Sequence, residues 1–121
     1  MISKLKIRSK KYLAAAKEQS CVRCGISNGT IVGAHYSGIR CHLYGKGTGT
    51  KCHDICVADL CSECHHYFDN PNLGLRHSTE LNRRWRKTEM SEDFLHCVML
   101  TLIRRCEQGV LYTDDMSLGG K

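Results

Sequence analysis

Two pairs of cysteines constrain this chain more than any other feature. Two residues separate Cys21 from Cys24, and Cys61 and Cys64 repeat that spacing 40 residues later. Together they offer four soft thiolates, the ligand set of a closed, tetrahedral, structural zinc site. Such a site pins two distant stretches to one point, so the residues between them must leave and return. With 121 residues the chain suits one domain. One Trp and two Phe make a core thin in aromatics, which a metal staple would help to fold. Plain burial of four thiols gives no reason for two regular pairs.

The total of nine cysteines is odd, and the first residues, Met1 to Lys6, lack an apolar signal core. Both points favour metal ligation over a disulfide framework and lead to the expectation of a cytosolic location. No apolar run is long enough to span a bilayer, so no membrane partner is expected. Cys41, Cys52, Cys56, Cys97 and Cys106 are left over. The first three, with His42 and His53, could form a second metal site, but they lack a regular spacing and read more simply as free thiols. The net charge is +6. Basic residues gather at Lys4, Lys6, Arg8, Lys10 and Lys11, and again at Arg83, Arg84, Arg86 and Lys87. Such clusters suit a polyanion, nucleic acid first, or a solvated face.

Residues 9–19 are rich in helix formers, with Ser9 as a candidate cap. The residues before them read as a strand or a basic arm. Cys21 to Gly25 reads as a tight knuckle and Ser27-Asn28-Gly29 as a turn. Thr30-Ile31-Val32 is a β-prone run ending near His35. Residues 37–51 carry no periodicity, and Gly38, Gly45, Gly47 and Gly49 with Arg40, Lys46 and Lys51 describe a flexible basic loop. Ile55, Val57 and Leu60 fit a strand leading into the second cysteine pair. A helix should start at about Cys61 and end before Asn70, because Pro71 disfavours helix at the residue ahead of it. A further helix is expected from Ser78 or Thr79 to about Lys87, with Trp85 as a core anchor. A last one is expected over roughly 92–108, after Ser91 and stopped by Gly109. In it Phe94, Val98, Leu102 and Cys106 make one apolar row and Leu95, Met99 and Ile103 the next, facing a core or a partner subunit. The tail, with Asp114, Asp115, Gly119 and Gly120, reads as frayed. The class is α+β: one domain over 1–121, a zinc-centred part about 20–70, and a helical part about 78–110.

Two histidines stand out on this scaffold. His35 lies on the hairpin between the cysteine pairs. His65 lies on the helix that carries the second pair, with Asp69 at i+4 on the same face. Hydrolysing a phosphodiester needs an activated water, a cation on the scissile phosphate and help for the departing oxygen. A histidine base supplies the first, and a divalent ion held by the helix supplies the other two. His42, His53 and His66 read as exposed or locally hydrogen-bonded. His77 and His96 have no partner that the sequence names.

The pattern Cys-x-x-Cys-Gly, Ala-His, Lys-x-x-Asp and Leu-Cys-x-x-Cys-His-x-x-x-Asp resembles the HNH, or His-Me finger, endonucleases. It is nearest to small phage and prophage nucleases of the YbcO type and similar to Ref-type recombination nucleases. The matching residues are Cys21, Cys24, Gly25, His35, Lys51, Asp54, Leu60, Cys61, Cys64, His65 and Asp69. The likeness spans roughly residues 10–110 and rests on 21–69. It implies a treble-clef zinc finger with a ββα-metal core, flanked by N-terminal and C-terminal helices. It also implies metal-dependent cleavage of DNA, in phage or prophage recombination or DNA processing, in the cytoplasm of a bacterial host. His35 would be the general base. His65 would bind the catalytic ion (Mg²⁺ or Mn²⁺, or Zn²⁺), with Asp69 as second ligand. Asp54, near the place of the family's middle Asn, would orient the base.

The chain departs from the pattern twice. Many family members have Asp-His at the hairpin, whereas here Ala34 precedes His35, so Asp69, Asp54 or water must supply the missing oxygen. The middle residue is Asp, and its spacing to Cys61 is longer than in the commonest form. Candidate DNA contacts are Arg40, Lys46, Lys51, Arg83, Arg84, Arg86 and Lys87. Two other readings stay open: a non-catalytic zinc module that binds nucleic acid or protein, and a dithiol redox protein that holds no zinc. The C-terminal helix would also suit a homodimer.

Overall fold

The structure is a computed structural model that describes residues 6–47, 49–71, 79–112 and 114, and the backbone of 117–119. Lys4, His77, Ser78, Asp115 and Gly120, which the sequence reading singled out, lie outside the described residues. In chain order the elements are β1 (Lys6–Arg8), α1 (Lys10–Ala14), β2 (Val32–His35), a 3-10 turn (Cys41–Tyr44), β3 (Val57–Leu60), α2 (Ser62–Asp69), α3 (Glu80–Glu107) and β4 (Ser117–Gly119). The class is α+β, with strands paired as two small antiparallel ribbons.

The central ribbon joins β2 to β3, with Val32 opposite Leu60 and His35 opposite Val57. Every residue of β3 is buried, since α3 packs along it and α1 lies against β2. Tyr12, Tyr36, Val57 and Leu60 fill the middle of the core. Ser9 caps α1 as its type suggests: its Oγ accepts the Tyr12 N–H at 3.0 Å, a contact worth about 0.5–2 kcal/mol. Cys61 is the N-cap of α2, and the helix ends at Asp69, one residue short of Asn70-Pro71.

Four expectations are corrected. The two helices expected over 78–87 and 92–108 are one helix of 28 residues. No Gly or Pro interrupts residues 88–91, and Ser91, the expected cap, instead shares a short hydrogen bond with the Tyr36 hydroxyl. The inward face of α3 is also rotated from the expected apolar rows. Met90, Phe94, Cys97, Val98, Thr101 and Arg105 are buried, whereas Met99 and Ile103 are 57% and 54% exposed. Trp85 is no core anchor, being 65% exposed on the outlying first turns of α3. The tail is not simply frayed, because β4 pairs with β1, Ile7 opposite Leu118.

The rotation of α3 has a polar cause. Asp59 points into the core from β3 and is fully buried, as is Arg105. Arg105 Nη2 donates to Asp59 Oδ1 at 2.6 Å, and Nη1 donates to Oδ2 at 2.8 Å. Arg104 Nη1 adds a third donor to Oδ2 at 3.1 Å. Thr101 Oγ1 accepts the Asp59 N–H at 3.0 Å. A buried carboxylate without such partners would be costly, so Thr101 and Arg105 face inward and the apolar row beside them turns to solvent. No helix among the described residues is long and apolar enough to cross a membrane.

Candidate metal centre and adjoining cleft

The knuckle at residues 21–25 closes on itself, with Gly25 N–H donating to Cys21 O at 2.8 Å. Gly25 takes φ +82°, a left-handed conformation that glycine adopts without strain. Val22 N–H donates to Asp59 O at 2.9 Å and ties the knuckle to β3. Because β3 leads directly into α2, Cys61 and Cys64 arrive opposite Cys21 and Cys24. The four sulfur atoms lie within 4.8 Å of one another, and Cys24 Sγ and Cys61 Sγ are 3.7 Å apart. Thiolates about 2.3 Å from a tetrahedral zinc stand roughly 3.8 Å from each other, so the cluster could hold a metal ion such as zinc.

Burial works against a thiolate at Cys21, but backbone donors from Cys61, Cys24 and Arg23 outweigh it and bring this thiol down to about 6. Burial pushes the Cys64 thiol up to about 12, against the pull of Arg23. A bound divalent cation would overcome that cost, since a coordinating thiol is deprotonated outright. Arg23, inside the first CxxC, went unnoticed in the sequence. Its Nη1 lies 3.5 Å from Cys64 Sγ, its Nε pairs with Asp93 at 3.3 Å, and its guanidinium sits 4.1 Å over the Tyr67 ring.

Beside this centre lies a cleft of about 440 Å³, lined in part by Ala34, His35, Lys46, Lys51, Cys52 and His65. β2 brings His35 to it and the first turn of α2 brings His65. His35 Nε2 is 2.8 Å from Asp54 Oδ1. Asp54 Oδ2 accepts the Ser9 N–H at 2.8 Å, and the Asp54 N–H donates to Ile7 O at 2.8 Å. The carboxylate that the sequence pairs with His35 is therefore held from two sides and nearly buried.

Other expected residues are placed differently. Asp69 is exposed and does not line the cleft, though its Oδ2 is 3.6 Å from His65 Nε2. No carboxylate appears among the described residues that line the cleft. Lys46 and Lys51 face it, but Arg40 does not, its backbone N–H donating to the Tyr36 hydroxyl at 3.1 Å. Arg83, Arg84, Arg86 and Lys87 stand on the first turns of α3 and do not line the cleft. Arg83 pairs with Glu80 at 3.4 Å, and Lys87 borders a separate pocket with Phe68 and Phe94.

Cys52, Cys56, His53 and His66 sit in local surroundings outside the four-cysteine group. Cys52 is buried, its thiol donates to Tyr36 O at 2.9 Å, and burial pushes it up to about 11. Burial likewise raises Cys56 to about 11. Among the described residues, the four-cysteine group is the one set of three or more donors close enough to share a metal ion. His53 Nδ1 accepts the Ile7 N–H at 3.0 Å. Burial, then the charges of Lys6 and Arg8, lower the pKa of His53. His66 bonds locally, its carbonyl accepting from Asn70 Nδ2 at 2.6 Å.

Sequence reasoning placed Ser9 as a cap and Arg8 in a basic cluster but missed their contacts with Asp54 and Cys52, more than 40 residues away. No local pattern marks either residue as part of a site. Compared with protein-family models, with curated proteins and with solved structures, the chain matches none.

Proposed function

We propose that this protein is a zinc-stabilised, metal-dependent DNA endonuclease of the HNH, or His-Me finger, type. In this reading the knuckle and the start of α2 form a treble-clef finger around a structural zinc, and β2, β3 and α2 form the ββα-metal unit. The observation that carries it is the 2.8 Å contact between His35 and Asp54 at a cleft shared with His65, Lys46 and Lys51.

Each residue then has a task. Asp54 accepts the Nε2 proton of His35, which leaves Nδ1 as the nitrogen that takes a proton from the attacking water. Lys46 and Lys51 hold the scissile phosphate as point charges. His65 and Asp69, 3.6 Å apart, would hold a Mg²⁺ or Mn²⁺ ion, with phosphate and water oxygens completing its shell. That ion would supply charge to the phosphate and the departing oxygen. Arg83, Arg84, Arg86 and Lys87 would track the DNA backbone outside the cleft, giving salt-sensitive binding. A role in phage or prophage recombination or DNA processing, in a bacterial cytoplasm, belongs to the same proposal.

The test is nicking of supercoiled plasmid with Mg²⁺ or Mn²⁺ by the parent and by His35→Ala. Loss of the base should slow cutting about 10²–10⁴-fold. If His35→Ala keeps its zinc and its fold yet cuts as fast as the parent, the base assignment fails. The lack of a carboxylate among the described residues of the cleft lining favours one second reading, a zinc-stabilised module that binds nucleic acid without cutting it. A parent protein that binds DNA, takes up no Mn²⁺ beyond its zinc and never cuts would establish that reading instead.

A further inference from the structure

The N-terminal segment lies outside the pattern that suggests a nuclease, yet it grips the loop that feeds the cleft. Four successive residues each bond to it. Lys6 Nζ donates to Gly45 O, a short contact. Ile7 donates to His53 Nδ1 at 3.0 Å and accepts from Asp54 N–H at 2.8 Å. Arg8 Nη1 donates to Cys52 O at 2.8 Å and Nη2 to Lys51 O at 3.0 Å. Ser9 N–H donates to Asp54 Oδ2 at 2.8 Å. Arg8 Nη1 also stands 3.5 Å from Asp54 Oδ1, the oxygen that faces His35.

We infer that Arg8 is a positioning residue of the cleft. One guanidinium spans the backbone on which Lys51 is mounted and the carboxylate that orients His35. It acts through both: it balances the charge of a nearly buried carboxylate, and it fixes the main chain from which Lys51 meets a phosphate. The task needs a planar fork with several donors at fixed angles, which a lysine ammonium cannot reproduce. The pairing of β1 with β4, Arg8 opposite Ser117, anchors this clasp from the far end of the chain. The geometry of the inference stands by itself, and its catalytic use rests on the nuclease reading.

The test uses zinc-loaded parent, Arg8→Ala and Arg8→Lys, with two readouts. The first is the NMR signature of the His35 ring, which in the parent should be the Nε2–H tautomer with a hydrogen-bonded ring proton. Arg8→Ala should lose that signature while keeping its zinc, and Arg8→Lys should recover it only in part. The second readout is cutting, expected to fall about 10–100-fold in Arg8→Ala, with DNA affinity changed less than about threefold, as for one lost screened charge. A His35 signature unchanged in Arg8→Ala would overturn the inference. If the alanine variant does not fold, Arg8→Gln, which keeps one donor pair, carries the same comparison. A parent that cuts no DNA would strike the nuclease reading and leave the NMR result to judge Arg8.

Discussion

Asp54 illustrates how one atom pair can decide a residue type. Its two oxygens have separate donors, His35 on Oδ1 and the Ser9 N–H on Oδ2. An asparagine could serve one of them but would turn an N–H₂ group toward the other, leaving two donors face to face. The acid at position 54 therefore fits its surroundings. Asp54→Asn should destabilise the protein by about 1–3 kcal/mol, the cost of an unmet buried partner, as read by urea unfolding. If the nuclease reading holds, plasmid nicking should fall about 10–100-fold through loss of orientation at His35. A variant as stable as the parent would mean that Ser9 finds another acceptor. The resemblance to a known pattern made this carboxylate legible in the sequence, but nothing near Ser9 announced its share.

At the scale of the element, α3 shows where hydrophobic periodicity misleads. Its sequence offers two apolar rows side by side, and amphipathicity alone cannot choose between them. The buried carboxylate of Asp59, 46 residues from Arg105 in the chain, makes the choice. Arg105→Met is a near-match in bulk that removes the charge and leaves Asp59 without its bidentate partner. It should cost about 3–5 kcal/mol, as breaking a fully buried pair does, measured by denaturant midpoint at constant m-value. A loss below about 1 kcal/mol would mean that Arg104 alone satisfies Asp59. The same helix carries Trp85 on turns that extend from the body, so the chain's single Trp should report on whatever binds there and not on folding.

For the molecule as a whole, the four cysteines join its two halves. The knuckle and α2 touch the same point, and β3 runs between them with α3 packed along it. With zinc on the four thiols, as proposed, its removal by a strong chelator should unfold the chain cooperatively, and re-addition should restore it. Apparent binding energies of structural zinc in small fingers, about 10–16 kcal/mol, exceed the stability of a small domain. Circular dichroism against bound-zinc analysis checks this outcome. A chelated protein that keeps its helix content would show that the core stands without the metal. On the nuclease reading, a weak chelator should stop cutting first and leave the fold intact, because the ion at His65 has fewer protein ligands than the one among the thiolates.

What the sequence determined by itself is whatever depends on short spacing. Two CxxC pairs bring four thiols to one centre, Pro71 ends α2 before Asn70, and Ser9 starts α1. The pairing of His35 with Asp54 was also legible, through the likeness to a known pattern. Other features depend on partners far apart in the chain and needed the fold to appear. Arg8 reaches Cys52, Asp59 meets Arg105, and Lys6 pairs with Gly119. Helical and strand periodicities describe a residue's nearest neighbours, whereas a buried charge or an unmet N–H is satisfied by whichever group the fold brings within 3 Å or so. The orientation of α3 and the grip of the N-terminal segment on the cleft follow from that demand.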